Sequence, residues 1–336
     1  MRRIKILLGG GAIAAAVAAG ALATANDGAR AAKRDTRLTL VAYSTPKEAY
    51  AEIIPAFQKT AAGKDVSFDQ SYAASGEQTR AILNGLKGDV AALSLEPDMT
   101  DLVKGALVAK SWNSGFYKGM VTNSVVVFVV RDGNPKKIKT WNDLVKPGVE
   151  VLTPNPFTSG GARWNVMAAY GAQRKDGKKH QAAVDYLLKL FQHVSVQDKS
   201  ARESLQTFLA GKGDVLLAYE NEALLARIKK QDVQFVIPRN TILIENPVAV
   251  LAKSEHQAEA KAFMSFLRKD AAQTIFGKWG YRPVVKRVLK KFKFPARPGL
   301  FTINQLGLGG WAKVQKTFFD PDDGIMADIQ KKVGGG

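Results

Sequence analysis

Val121-Thr122-Asn123-Ser124-Val125-Val126-Val127-Phe128-Val129-Val130-Arg131 is a β-branched run longer than its neighbours. Valine and phenylalanine at this density favour extended chain, and a strand of this length can pass from one domain into another. Before it, from about residue 36, short apolar runs at 38–42, 66–70 and 89–94 alternate with helical patterns at 46–60 and 76–87. This βαβα rhythm predicts a parallel sheet flanked by helices. After the run the rhythm restarts, with strands at 149–153, 194–196 and 214–219 and helices at 160–170, 181–192 and 202–209. A second crossing strand is expected at 247–251, followed by helices with no full sheet of their own. The expected fold is therefore α/β with two lobes, each a sheet flanked by helices, joined by two hinge strands. One lobe is discontinuous, 36–120 plus 248–332, and 121–247 is inserted in it.

The chain has 336 residues, enough for two ordinary domains. With 46% hydrophobic and 24% charged residues it reads as globular rather than disordered. Residues 1–25 read as a secretory signal peptide: Arg2, Arg3 and Lys5 form a basic start, 6–22 is apolar, and Ala23-Thr24-Ala25 fits the small-x-small cleavage rule. An uncleaved anchor is the alternative. The polar Asn26-Asp27-Gly28 that follows favours cleavage. No later segment has about 18 consecutive apolar residues, so no other membrane span is expected. The chain has no cysteine. That removes disulfides and thiol chemistry, and also a lipid anchor, which needs a cysteine at the mature N-terminus. A free, periplasmic protein is expected.

The formal net charge is +19, and losing Arg2, Arg3 and Lys5 with the signal leaves +16. Nucleic-acid binding, steering of anionic solutes and a plain solvated basic surface all fit such a charge. An exported protein rarely meets nucleic acid, and none is expected as a partner.

Four helix starts stand out. Thr45-Pro46-Lys47-Glu48, Ser75-Gly76-Glu77-Gln78 and Ser200-Ala201-Arg202-Glu203 read as capped N-termini following strands. Thr158-Ser159-Gly160-Gly161 opens a fourth helix with two glycines. Two glycines at a helix start cost helix propensity; close approach of the backbone to a ligand accounts for them, as does a tight turn. A helix N-terminus carries unpaired N–H donors and a partial positive charge, so several aimed at one point form an anion site. In open α/β sheets that point lies beyond the carboxyl ends of the strands.

On these residues the chain resembles the bacterial periplasmic sulfate/thiosulfate-binding proteins, receptors of sulfate ABC transporters. The resemblance is carried by 121–135, by 153–165 with its Pro154-Asn155-Pro156 and Ser159-Gly160-Gly161-Ala162-Arg163-Trp164, by Gly213-Asp214-Val215-Leu216, Glu220-Asn221-Glu222-Ala223, Tyr281-Arg282-Pro283 and Gly309-Gly310-Trp311-Ala312-Lys313. It spans essentially the whole mature chain. It implies a two-lobed periplasmic-binding-protein fold of type II that closes on sulfate and hands it to the permease subunits of an ABC importer. It also implies ligand contacts from the backbone of Ser44, Ser75, Gly160, Gly161 and Ala201, from the hydroxyl of Ser159, and from that of Ser75. Tyr219 stands where related chains often carry tryptophan. A phenol can also donate, and the exchange could mark a preference for thiosulfate. These positions supply donors and no carboxylate, which suits sulfate, an anion without a proton at neutral pH, over phosphate.

Histidines 180, 193 and 256 fit no metal spacing, and Ser159 lacks a G-x-S-x-G frame and an assignable base. Neither a Walker A sequence nor G-x-G-x-x-G occurs at the glycine turn. The five tryptophans read as packing residues. No cofactor or metal and no enzyme activity is expected, and the chain is expected to act as a monomer. Receptors for thiosulfate, molybdate or phosphate, and an exported enzyme on the same scaffold, are the competing readings.

Overall fold

The computed structural model describes residues 36–296 and 298–334. The expected signal peptide and its cleavage site lie outside the described residues. Along the chain run β1 (Thr36–Tyr43), α1 (Lys47–Gln58), β2 (Val66–Ala73), α2 (Ser75–Leu83), β3 (Val90–Ala92), α3 (Glu96–Lys104), β4 (Met120–Arg131), β5 (Val151–Leu152), α4 (Gly160–Lys175), α5 (His180–Gln192) and β6 (Val194–Val196). Then follow α6 (Ala201–Leu209), β7 (Val215–Tyr219), α7 (Glu220–Ile228), β8 (Val233–Val236), β9 (Asn240–Val250), α8 (Gln257–Phe266), α9 (Asp270–Lys278), β10 (Arg282–Pro283), α10 (Lys286–Leu289), β11 (Gly299–Phe301), α11 (Gly310–Phe319) and α12 (Ile325–Gly334).

The strands form one path in the order β2-β1-β3-β9-β4-β7-β5-β6. Its two ends are parallel, β2 with β1 and β1 with β3 on one side, β7 with β5 and β5 with β6 on the other. The middle is antiparallel: β3 pairs with β9, and β9 with β4. The two long strands do what the valine run predicts. The first half of β4, through Val125, lies against β9; the second half, Val126–Val130, lies against β7. The second crossing strand begins at Asn240, seven residues before the expected Pro247.

Each half of the sheet is covered on both faces. Alternation along β1 and β4 sends neighbouring side chains to opposite faces. Thus Leu40 and Ala42 join the core over α1, α8 and α9, while Val41 packs with α3. Helix α1 buries Ala49, Tyr50, Ile53, Ile54 and Phe57, the i, i+4, i+8 stripe of a helix on a sheet. In the other half Val126, Phe128 and Val130 face α4 and α5, and Val125, Val127 and Val129 face α6 and α7. Burying one such side chain contributes about 1.5–3 kcal/mol.

The end of the chain departs from the expected lobe assignment, which placed 248–332 with 36–120. Gly299, Leu300 and Phe301 pair in parallel with Asn240, Thr241 and Ile242, and Val314, Phe318, Met326 and Ile329 join the core of α4 and α5. The apolar stripes of α11 and α12 need a partner; α4 and α5 provide most of it, and α11 also touches α3.

Candidate functional site

Beyond Ser159 the chain turns into α4. Ser159 is the N-cap, and its Oγ accepts from the N–H of Ala162 at 3.4 Å. The N–H groups of Gly160 and Gly161 precede any carbonyl within the helix that could accept from them. Helix α6 opens in the same way: Ser200 and Glu203 form the expected capping box, which leaves the N–H of Ala201 ahead of the first capped donor.

The glycines are explained by what surrounds them. A Cβ on Gly161 would fall 2.8 Å from Cε2 of Tyr219, 3.2 Å from Cβ of Ala201 and 3.4 Å from Oγ of Ser159. One on Gly160 would fall 2.2 Å from Cδ2 of Leu95 and 2.5 Å from Oγ of Ser94. Only hydrogen fits at either position. The turn is therefore enclosed by the starts of α6 and α7 on one side and by the β3–α3 loop, from the other half of the sheet, on the other.

Helix α2 meets the same turn. The N–H of Gly76 donates to the carbonyl of Thr158 at 3.0 Å, and Nη1 of Arg80 reaches the carbonyl of Phe157. Ser75 is buried at the first helical position rather than acting as an N-cap; Ala74 holds that place without a side-chain cap. The Ser75 hydroxyl donates to Asp98 at 2.5 Å and accepts from the N–H of Ser94 at 2.8 Å. It is thus committed within the protein, and what Ser75 can offer a ligand is its backbone N–H. Thr45 likewise does not cap α1: its hydroxyl pairs with that of Tyr281 at 2.8 Å, and Pro46 is the N-cap. Ser44 borders a cleft of about 530 Å³ together with Lys47, Ser200 and Arg202, so it sits beside the α6 start.

Tyr219 is the N-cap residue of α7 and is 2% exposed. Its hydroxyl does not point free into a cavity; it lies 2.6 Å from Oγ of Ser94, across the two halves of the sheet. Burial, with the neighbouring Tyr43, keeps the Tyr219 phenol well above the ordinary tyrosine range, so it stays protonated. The carboxylates nearby are all engaged. Burial raises Asp98, opposed by the charge of Arg163 and the Ser75 hydroxyl. Glu220 binds Arg282 at 2.6 and 3.0 Å, and Glu222 binds Arg202 at 2.8 and 2.9 Å. The atoms nearest the two glycines belong to Leu95, Ser94, Tyr219, Ala201 and Ser159, and none is a carboxylate.

Sequence reasoning missed Ser94 and Asp98; Trp164, read there as a packing residue, is buried and donates through Nε1 to the Ser94 carbonyl at 3.0 Å. Each acts across a long separation in the chain, and no local pattern marks it. Among the described residues there is no group of three His, Cys, Asp or Glu side chains placed to hold a metal.

Residues 38–282 match the family described as bacterial extracellular solute-binding protein. The chain is 42% identical over 309 residues to a sulfate-binding protein of Synechococcus elongatus, covering 89% of this chain and 87% of that one. It is 35% identical to a thiosulfate-binding protein of Pseudomonas aeruginosa, over 86% of this chain and 90% of the other. Among solved structures it is similar to the sulfate-binding protein SubI from Mycobacterium tuberculosis, with 42% identity and a TM-score of 0.82 over 85% of this chain and all of that one.

Proposed function

The chain belongs to the bacterial extracellular solute-binding protein family, and from that premise we propose that it is a periplasmic receptor that binds sulfate and delivers it to a membrane ABC importer. The observation that carries this is the Gly160-Gly161 turn: two uncapped N–H groups at a helix start, held against Ala201, Tyr219 and Ser94 so closely that no side chain fits. In this reading the donors are the backbone N–H groups of Ser44, Ser75, Gly160, Gly161 and Ala201, joined by the hydroxyls of Ser159 and Tyr219. The strongly basic chain draws anions toward the site.

The two halves act as lobes, 36–120 with 248–296 and 121–247 with the returning C-terminal segment, and β4 and β9 are the hinge. The leader directs export. Among the described residues no helix is long and apolar enough to cross a membrane. The protein works as a monomer on one side and against the permease subunits on the other. It performs no reaction; the relatives bear the names of binding proteins.

Thiosulfate is the second reading, favoured by Tyr219 and by the Pseudomonas relative. Calorimetric titration with sulfate, thiosulfate, molybdate and phosphate distinguishes the two. Sulfate is expected to bind most tightly and to raise the melting temperature, by linkage contributing about 2.7 kcal/mol at a hundredfold excess over Kd. Absence of sulfate binding, with or without another oxyanion bound, overturns the assignment.

A further inference from the structure

At the other end of β3 from the glycine turn lies a cleft of about 620 Å³, inside the range of about 300–1,000 Å³ that small-molecule sites occupy. Val90, the first residue of β3, pairs with Val250, and Ala249 and Val250 form part of the cleft wall. Ser94, beside Gly160, lies past the opposite end of the same strand. The cleft and the turn are therefore separate places.

The loop 109–119 brings Trp112, Phe116 and Tyr117 to the cleft, and α8 with the residues after it brings Lys261, Met264 and Arg268. The loop is anchored. The carbonyl of Gly119 accepts from the N–H of Val248 at 3.0 Å, and a Cβ on Gly119 would fall 2.3 Å from Cζ3 of Trp112, so the indole is seated on bare backbone. Phe116 is 89% exposed, against 48% for the next most exposed large hydrophobic among the described residues. Its ring stands edge-on to that of Tyr117, with centroids 5.0 Å apart.

The charges here have one sign. Among the described residues that line the cleft, Lys261 and Arg268 are charged and none is a carboxylate. Nε of Arg268 donates to the carbonyl of Met120 at 3.1 Å, and no described carboxylate pairs with the guanidinium. Burial pulls its pKa below the ordinary arginine range, against the pull of Tyr50 and Tyr117. An inorganic anion in the cleft would meet the cations and leave the aromatic walls wet. A neutral apolar molecule would cover the walls and bury a cation without a partner, which is costly. An organic anion with a flat apolar body answers both demands.

We propose that this cleft is a second binding site, apart from the glycine turn, for a small aromatic carboxylate or sulfonate. The anionic group pairs with Arg268 and Lys261, and the ring is seated against Trp112, Phe116 and Tyr117. Occupancy of the two sites is independent, since they share no residue.

The test is calorimetric titration of the full protein with naphthoate and with its uncharged counterpart naphthalenemethanol, each with and without saturating sulfate. Naphthoate is expected to bind at one equivalent with a dissociation constant of about 1 mM or tighter, unaffected by sulfate, and the alcohol roughly tenfold more weakly or less. Arg268→Gln is expected to weaken naphthoate roughly tenfold, and Arg268→Lys to keep most of the binding. Arg268 also holds the Met120 carbonyl, so Phe116→Ala, at an exposed ring, carries the test if the glutamine variant does not fold; it is expected to weaken naphthoate several-fold and leave urea unfolding unchanged. No naphthoate binding, equal binding of the alcohol, displacement by sulfate, or full affinity in Phe116→Ala overturns the inference and leaves the sulfate assignment standing. A wild type that binds naphthoate in this way but no sulfate supports the second site and overturns the functional reading instead.

Discussion

Arg202 reaches across the sheet halves to Glu48, Nη1 to one carboxylate oxygen at 2.9 Å and Nη2 to the other at 3.0 Å. The same guanidinium binds Glu222 through Nε and Nη2 and the carbonyl of Thr45 through Nη2. Arg202 follows Ala201, so the residue that offers a helix-start N–H is fixed from behind by a cation with two carboxylates. A planar guanidinium with five donors meets this demand where an ammonium would not.

Replacing Arg202 by alanine leaves Glu222, whose side chain is 1% exposed, as a buried carboxylate without its partner. Breaking a buried pair from one side costs about 3–5 kcal/mol. Arg202→Ala is expected to lose stability of that order in urea unfolding, and Arg202→Lys to recover only part of it. An alanine variant as stable as the wild type would show that Glu222 is relieved by water or by Lys229.

Acid should act on the same contact through Glu48. Burial raises its carboxyl, but the hydrogen bond and charge of Arg202 and the bond from Lys229 outweigh burial, and the folded value lies below the ordinary one. A depressed folded pKa means that the stabilisation is present above the unfolded value and is lost as pH falls through the folded value. The gap in stability between wild type and Glu48→Gln is expected to be widest near neutrality and to close below the ordinary carboxylate range. Glu222 is raised by burial against the pull of Arg202, so its own contribution runs the other way and fades as pH rises. A Glu48→Gln gap that widens in acid would contradict this sign.

At the glycine turn, Ser159→Ala removes a cap acceptor and, on the proposed reading, a ligand donor. Loss of a donor to a charged, buried ligand is expected to weaken sulfate binding by about 1.5–3 kcal/mol, and loss of the cap to lower stability by about 0.5–2 kcal/mol. The long 3.4 Å cap contact places the second effect at the low end. Gly161→Asp is expected to abolish binding, because the new side chain meets Tyr219 at its first carbon and brings a negative charge to the anion. Calorimetry on both variants, with circular dichroism to show that they fold, checks the pair. Unchanged affinity in Gly161→Asp would remove this turn from the site.

What the sequence made legible was whatever is written locally. The Val125–Val130 run declared its strand because β-branched density needs no distant partner, and Ser200-Ala201-Arg202-Glu203 declared its capping box because all its atoms lie within one turn. Ser75 carried the same local pattern and was misread, since its hydroxyl is captured by Asp98, 23 residues away, before it can cap. The start of β9 was hidden by Pro247, which reads as a strand beginning but sits inside one, opposite Met120. Tyr219 was named as an expected ligand position, while the hydroxyl it meets, on Ser94 125 residues away, was not named. Side chains that meet across the two halves are set by the tertiary arrangement of the chain, and single-segment patterns do not encode it.

The return of the C-terminal segment rests on one close approach that can be tested directly. Gly171 lies in the middle of α4, where glycine costs about 1 kcal/mol relative to alanine. A Cβ there would fall 2.3 Å from Cε2 of Phe301, 2.4 Å from its Cζ and 3.0 Å from Cδ2 of Leu306. Phe301 is 1% exposed and fixed by the β11 pairing with Thr241 and Ile242, so the ring cannot step aside. Overpacking of a close-packed core costs about 1–3 kcal/mol, enough to exceed the gain in helix propensity. Gly171→Ala is expected to be net destabilising, and a smaller residue at the partner position, Phe301→Leu, to recover part of the loss in the double variant, a non-additivity that only contacting residues show. If Gly171→Ala instead stabilises by the full propensity gain, β11 is not seated on α4.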